Sequence, residues 1–307
     1  MSDVIVIGGG TAGLTAAIFI QRSAMESIVL ESEEFGGRIF PTLAIDNYPG
    51  MPGVTGVEYS ETLRAQAKSL GAQLVAQTAY SITLSGAVWQ VKTQERTHEA
   101  QAVIYAAGEK QRFLGVPGEK EFLGRGVASC AACDGAFFRN ETVAIVGGGD
   151  KALDDALTLS RLCASVHLIH RRDEFRAAGG TVAKVKATQN IKFHLNCNVT
   201  SINGDRRVDS VSVLGTDGKI ETLAVSGVFV AVGSDPQSAL CAQYAQIDSE
   251  GYIVADEDCK TSTPGLLVAG DVRQKPFRQL VTAAADGAVA ANGAVEYIVH
   301  KKWKGKI

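Results

Sequence analysis

"DVIVIGGGTAG", residues 3–13, is the stretch on which the fold is read. Residues 3–7 are a short, largely apolar run of the kind buried on both faces of a parallel sheet. "LTAAIFIQR" (14–22) then reads as a helix, and "SIVLES" (27–32) as a second strand ending at Glu31. Gly8, Gly10 and Gly13 stand in the three places of Gly-x-Gly-x-x-Gly, with Thr11 and Ala12 completing the turn. Alone, that pattern is weak. Strand before, helix after and an acid 23 residues beyond Gly8 make it a dinucleotide-binding fingerprint. The glycines let the backbone turn tightly and approach a pyrophosphate, which meets the helix N-terminus. Glu31 is placed to accept from a ribose hydroxyl.

The same unit recurs from Thr142. "TVAIV" (142–146) is a strand, "GGGDKA" (147–152) the turn, "LDDALTLSRL" (153–162) a helix and "SVHLIHRR" (165–172) the next strand. Gly147, Gly149 and Ala152 hold the patterned places, with Asp150 and Lys151 between them. That strand ends 24 residues past Gly147, but its residue types are inverted: His170, Arg171 and Arg172, with Arg176 a turn further on. A carboxylate in this place suits a free 2′-hydroxyl. A guanidinium cluster suits a 2′-phosphate, whose oxygens match its fork of donors. The first unit is therefore expected to take an adenine dinucleotide such as FAD, and the second to prefer NADPH.

Three stretches support a flavin. "VIYAAGE" (103–109), with Ala107 and Gly108, and "LLVAGD" (266–271) are apolar strands ending in small residues, where backbone passes close to a ligand. "FGGRIFPTLAIDNYPG" (35–50) is a Gly- and Pro-rich loop long enough to wrap a cofactor, and it carries Gly37 and Arg38. The expected fold is α/β, with two Rossmann-like three-layer nucleotide-binding domains, the second inserted into the first. Residues 1–110 and 235–307 form the FAD domain and 111–234 the NADPH domain.

Composition bounds the rest. The chain has 307 residues, 46% hydrophobic and 21% charged, enough for two packed cores. A net charge of −3 offers no bulk positive field for nucleic acid or an anionic membrane. "MSDVIVIGGG" lacks the basic segment and long apolar run of a signal peptide, and nowhere do 18 consecutive apolar residues occur. A cytoplasmic protein is expected. The short basic tail "HKKWKGKI" reads as a solvated end.

Of six cysteines, Cys163, Cys197, Cys241 and Cys259 are widely spaced and read as small buried apolar residues. Cys130 and Cys133, in "SCAACDGAFF" (129–138), lie just before the second nucleotide strand. A zinc site would need a further cysteine pair or paired histidines, which the spacing does not supply, so no metal is expected. A static disulphide suits a reducing compartment poorly. A dithiol beside a flavin has a clear logic: two electrons pass from flavin to disulphide, and thiolate exchange hands them on. A helical turn starting near Cys130 would lower the pKa of the thiol at its head. Asp134, next to Cys133, is placed to carry a proton as the dithiol opens.

The chain resembles the low-molecular-weight, bacterial-type thioredoxin reductases over essentially its whole length. The stretches that carry the resemblance are "GGGTAGLTAA", "GGR", "DNYPG", "FLGVPGE", "GRGVASCAACDG", "VAIVGGGDKAL", "VHLIHRRDEFRA", "VAGDV" and "RQLVTAAADGAVAA". The resemblance implies a homodimer with one FAD per subunit, NADPH as donor and thioredoxin or a similar small dithiol protein as acceptor. It implies that Cys133 lies next to the flavin, Cys130 attacks the partner disulphide, and Asp134 is the acid–base residue. Asn47, Asp271, Arg278, Gln279 and Leu280 would line the flavin, and Arg171, Arg172 and Arg176 would hold the 2′-phosphate. It further implies a rotation of the NADPH domain about links near 109–112 and 233–236.

There are departures from the family pattern. Lys151 stands where a small residue is usual, and adds charge to the phosphate turn or crowds it. Asp154 and Asp155 replace a glutamate pair, and Ala285–Gly287 differ from the usual Gly-acid-Gly. Ala136 replaces a phenylalanine, leaving Phe137 and Phe138 for partner contact or core packing. The alternative reading is a flavin-dependent disulphide reductase with another donor, such as a ferredoxin, or another acceptor. A non-enzymatic flavin-binding redox sensor would show no turnover.

Overall fold

The structure is a computed structural model that describes residues 1–304; the end of the basic tail, 305–307, lies outside the described residues. Strand β1 (Ser2–Ile7) leads into helix α1 (Thr11–Arg22) and β2 (Ser27–Glu31). After a long loop come α2 (Gly56–Ser69), β3 (Gln73–Ala76), β4 (Ser81–Ser85), β5 (Val88–Lys92) and β6 (Thr97–Tyr105). A short strand β7 (Glu109–Gln111) follows. Next are β8 (Val127–Ala128), α3 (Ala131–Asp134), β9 (Thr142–Val146), α4 (Asp150–Ser160) and β10 (Ser165–His170). Then α5 (Gly179–Ala187), β11 (Ile191–Leu195), β12 (Asn198–Gly204), β13 (Val208–Leu214), β14 (Ile220–Ala224) and β15 (Gly227–Val230) complete that region. Strand β16 (Ser234–Pro236), which pairs with β7, precedes β17 (Leu266–Val268) and α6 (Leu280–Lys304). The described residues pack as two compact units, 1–110 with 235–304, and Gln111–Ser234.

The first unit is built on one sheet, ordered β3-β2-β1-β6-β5-β4, with β17 also on β6. Strands β1, β2, β3, β6 and β17 run parallel, while β4 and β5 add antiparallel pairs at one edge. Alternation along β1 divides its side chains between two cores. Val4 and Val6 pack with Leu14, Ile18 and the α6 alanines; Ile5 and Ile7 pack with Trp89, Tyr105 and Val268. A strand buried on both faces must be apolar at every position, which is why the fold is readable from the run 3–7. Helix α6 lies against α1 at Gly287, where a Cβ would fall 2.2 Å from the Ala12 carbonyl oxygen. Helix α2 opens with a capping box: the Thr55 hydroxyl accepts the Glu58 N–H, and the Glu58 carboxylate accepts the Thr55 N–H.

The second unit repeats the plan. Its sheet is ordered β11-β10-β9-β15-β8 and is parallel throughout. Ala144 and Val146 of β9 enter one core and Val143 and Ile145 the other. The antiparallel sheet β12-β13-β14 covers one of these faces, contributing Ile202, Val211, Val213 and Leu223. Among the described residues no helix is long and apolar enough to cross a membrane. Cys163, Cys241 and Cys259 are buried; Cys197 is half-buried.

Candidate active site

In the first unit, Gly8 has φ +107° and lies across the end of β6: a Cβ on it would sit 2.2 Å from the Ala106 carbonyl oxygen. That close approach explains why small residues end β6. A Cβ on Gly13 would strike the Gly8 carbonyl oxygen at 1.8 Å, so the helix can follow the strand this tightly only with glycine there. Helix α1 starts at Thr11 and Ala12, and no side chain caps its Gly10 end. The Gly9 N–H donates to Glu31 Oε2 at 2.6 Å, and the Glu33 N–H to Oε1 at 2.8 Å.

Further residues of this unit converge from distant segments. Arg38, just after Gly37, forms an ion pair with Glu109, whose second oxygen accepts the Tyr252 hydroxyl at 2.8 Å. The Arg278 guanidinium lies 3.6 Å from the centroid of the Tyr252 ring, and its Nε donates to the Asp271 carbonyl at 3.3 Å. Asn47 Nδ2 donates to Gln279 Oε1 at 3.1 Å, immediately before Leu280 opens α6. Gly108, after Ala107, accepts the Gln237 N–H at 3.0 Å. Burial raises the Asp271 carboxyl above its usual range, against the pull of the Lys275 ammonium 3.8 Å away. Asp271 Oδ1 is buried and makes no hydrogen bond. A buried acceptor in that condition is matched by a ligand hydroxyl, so these residues fit a polyhydroxylated nucleotide cofactor. Beneath them Asp286 is nearly buried. It accepts from Gly270 N–H at 3.1 Å, Arg273 at 3.2 Å and Lys275 at 2.9 Å.

The second glycine turn copies the first. A Cβ on Gly147 would meet the Ala231 carbonyl oxygen at 2.4 Å and the Ala152 Cβ at 2.7 Å. A larger residue at 152 would crowd the turn in the same way. Gly149 leads into α4, whose first residue, Asp150, accepts the Ala178 N–H at 2.8 Å. The Arg176 N–H donates to the Gly148 carbonyl, also at 2.8 Å. These two bonds strap the segment 171–178 to the turn. Arg171, Arg172 and Arg176 are exposed on it. His170 is buried: its ring packs on Gly148, stacks on Phe175 at 5.5 Å, and is held toward the neutral form by burial. It serves as a floor for the turn.

Cys130 and Cys133 form a disulphide with Cα atoms 5.2 Å apart. The pair spans the short helix α3, where Cys130 is the N-cap and its Sγ accepts the Cys133 N–H at 3.1 Å. Burial pushes the Asp134 carboxyl up to about 6. Phe138 packs edge-on against Phe229 at 5.4 Å, whereas Phe137 is exposed. Among the described residues no cluster of His, Cys, Asp and Glu could hold a metal. Tyr252 and Lys275 are not singled out by the sequence, where Glu109 enters only as the start of a link and Asp286 only within a departure from the family pattern. Glu109 and Tyr252 have their partners in remote segments, and no motif marks Lys275 and Asp286 as an ion pair.

A disulphide closed over one helical turn and followed by a half-buried carboxyl, in a chain with two strand–glycine-turn–helix units, defines a disulphide oxidoreductase. Known proteins agree. The family model for pyridine nucleotide-disulphide oxidoreductases matches residues 2–287. A thioredoxin reductase of Mycolicibacterium smegmatis is 42% identical over 302 residues, covering 97% of each chain. A bifunctional thioredoxin reductase/thioredoxin of Mycobacterium leprae is 42% identical over 300 residues; 96% of this chain spans 66% of that relative. The crystal structure of thioredoxin reductase from Streptococcus pyogenes superposes with a TM-score of 0.94 at 36% identity, covering 98% of this chain and 99% of that one. The chain belongs to the pyridine nucleotide-disulphide oxidoreductases, among the thioredoxin reductases. It is an oxidoreductase, and its family implies a flavin and a pyridine nucleotide.

Proposed function

We propose that the chain is an NADPH-dependent thioredoxin reductase that binds FAD in its first unit and NADPH in its second, and works as a cytoplasmic homodimer. The observation that carries this reading is the Cys130–Cys133 disulphide at the head of α3, with Asp134 behind it.

Gly8, Gly10, Thr11, Ala12 and Gly13 would take the FAD pyrophosphate and Glu31 its ribose. Gly37, Arg38, Asn47, Ala107, Gly108, Asp271, Arg278, Gln279 and Leu280 would line the rest. Gly147, Gly149, Asp150 and Ala152 would hold the NADPH pyrophosphate, and Arg171, Arg172 and Arg176 its 2′-phosphate. When bound, the two cofactors supply a hydride and pass its electron pair to the disulphide.

The chain's own residues do the remaining chemistry. Two electrons break the Cys130–Cys133 bond and leave two thiolates, one of which takes the proton Asp134 carries. The Cys130 thiolate then attacks one sulphur of the thioredoxin disulphide. That bond breaks, a mixed disulphide forms, and the other sulphur leaves as a thiolate that is protonated. Cys133 attacks Cys130, re-forms the original disulphide and releases the second thiol. A carboxyl with a pKa near 6 is suited to give and take these protons close to neutral pH.

The test is anaerobic mixing of the purified protein with NADPH and, separately, NADH, following the visible flavin absorbance. Fast bleaching by NADPH and slow bleaching by NADH is the expected result. No bleaching by either, with a flavin that dithionite still reduces, would overturn NADPH as donor. Cys130→Ser and Cys133→Ser should each abolish thioredoxin reduction while the flavin stays bound.

A further inference from the structure

Lys151 sits in the second glycine turn, where a phosphate would be sought, but its ammonium is engaged elsewhere. Nζ lies 2.5 Å from Asp155 Oδ2, one helical turn along α4, and 3.4 Å from the Ser129 carbonyl oxygen. The Asp155 side chain is only 15% exposed, and the Ala131 backbone, like Lys151, favours its carboxylate against the effect of burial. Ser129 and Ala131 are the two chain neighbours of Cys130. The ion pair therefore reaches the backbone next to that residue, through the Ser129 carbonyl. A surface i,i+4 pair contributes little by itself. This one is tied to the loop that carries the redox chemistry.

We propose that Lys151, acting with Asp155, is a positioning residue for the Cys130 thiol. The inference rests on the proposed function for the meaning of that thiol, but its geometry stands without it. Burial disfavours the Asp155 carboxylate, and Lys151 opposes that effect. With the cation in place the pair is neutral and the ionised form of the carboxylate is favoured. Without it, a lone negative charge is left one lysine ammonium away from the Ser129 carbonyl that precedes Cys130, at the alkaline pH where a thiol titrates. A negative charge there disfavours the thiolate, which is the nucleophile.

The experiment uses the holoprotein in a Cys133→Ser background, where Cys130 is a single thiol. Its alkylation by iodoacetamide is followed against pH by mass spectrometry of the Cys130 peptide. Lys151→Met should move the profile to higher pH and slow alkylation at neutral pH by about three- to tenfold. Lys151→Arg should leave it near the parent's. Adding Asp155→Asn to Lys151→Met should return the profile toward the parent's, since both charges are then gone. The other titratable carboxyls of α3 and α4, Asp134, Asp150 and Asp154, are unchanged throughout.

A Lys151→Met profile that overlays the parent's would overturn the proposal. So would a shift that the double substitution fails to reverse, because that marks a general disturbance of the loop. In the protein with both cysteines, Lys151→Met should leave the KM for NADPH within about twofold; a tenfold rise would make Lys151 a phosphate ligand instead. Alkylation needs neither nucleotide nor acceptor, so the proposed function can fail in the bleaching test while this result stands.

Discussion

The backbone N–H of Gly9 donates to the carboxylate of Glu31 over 2.6 Å, so the acid at the end of β2 is fastened to the glycine turn that ends β1. A carboxylate chosen by spacing for a ribose hydroxyl thus also keeps the turn closed and its own oxygens preset. Removing a hydrogen bond to a charged group costs about 1.5–3 kcal/mol. Glu31→Ala should lower the melting temperature by several degrees and reduce bound flavin to less than half, read as the visible-to-ultraviolet absorbance ratio. Glu31→Gln, which keeps an acceptor for Gly9, should fall between. Full flavin content in the alanine variant would mean that the clasp is dispensable for the cofactor.

Asp286 offers a different prediction, for stability. Its carboxylate faces Arg273 and Lys275 where all three side chains are nearly buried. Removing one partner of a buried ion pair leaves the other charges uncompensated, at about 3–5 kcal/mol. Asp286→Ala should lower the urea midpoint strongly, while Lys260→Ala, which removes exposed ion pairs with Asp258 and Glu296, should leave it nearly unchanged. Equal effects from the two substitutions would show that the buried cluster is solvated.

For Asp134 the pH dependence has a definite sign. Burial raises its carboxyl from the ordinary 3.8 to about 6 in the folded protein. The folded state therefore holds the proton more tightly than the unfolded state. The resulting stability is present below the unfolded value and is lost as pH rises through about 6. Compared with Asp134→Asn, the parent should lose stability between about pH 4 and 6, measured by urea unfolding at each pH. The same variant should slow turnover by about a hundredfold and remove an inflection near pH 6 from the rate profile. A parallel stability curve for the two proteins would contradict the raised carboxyl.

Much of this is readable in the chain because it is local. The apolar runs of β1 and β9 reveal strands buried on both faces, and each glycine turn is spelled out in six residues. The dithiol and its aspartate are adjacent. What is not readable depends on approach across the fold. Glu109 meets Arg38 and Tyr252 across 71 and 143 residues, and Asn47 meets Gln279 across 232. Lys151 reads as an intruder in a phosphate turn, since nothing local shows that Ser129 lies within its reach. Phe137 and Phe138 are equivalent in the sequence; only the Phe229 ring, more than ninety residues on, separates a packed residue from an exposed one.

Arg171 and Arg172 provide the sharpest test of the second nucleotide turn. Both are exposed, and both stand where β10 ends, on a segment strapped to the turn through Arg176 N–H and Ala178 N–H. His170 beneath them is held toward the neutral form, so it adds no fixed charge of its own. Charge-assisted contacts to a phosphate contribute about 1.5–3 kcal/mol each, and NADH lacks that phosphate. Arg171→Ala with Arg172→Ala should raise the KM for NADPH by two orders of magnitude or more, leave that for NADH within about threefold, and so erase the preference. The maximal rate with saturating nucleotide should change little, because on the proposed reading the arginines would bind the 2′-phosphate equally before and during reaction. Steady-state kinetics with both nucleotides read this directly, and a preference that survives both substitutions would reduce the arginine cluster to a solvated surface turn.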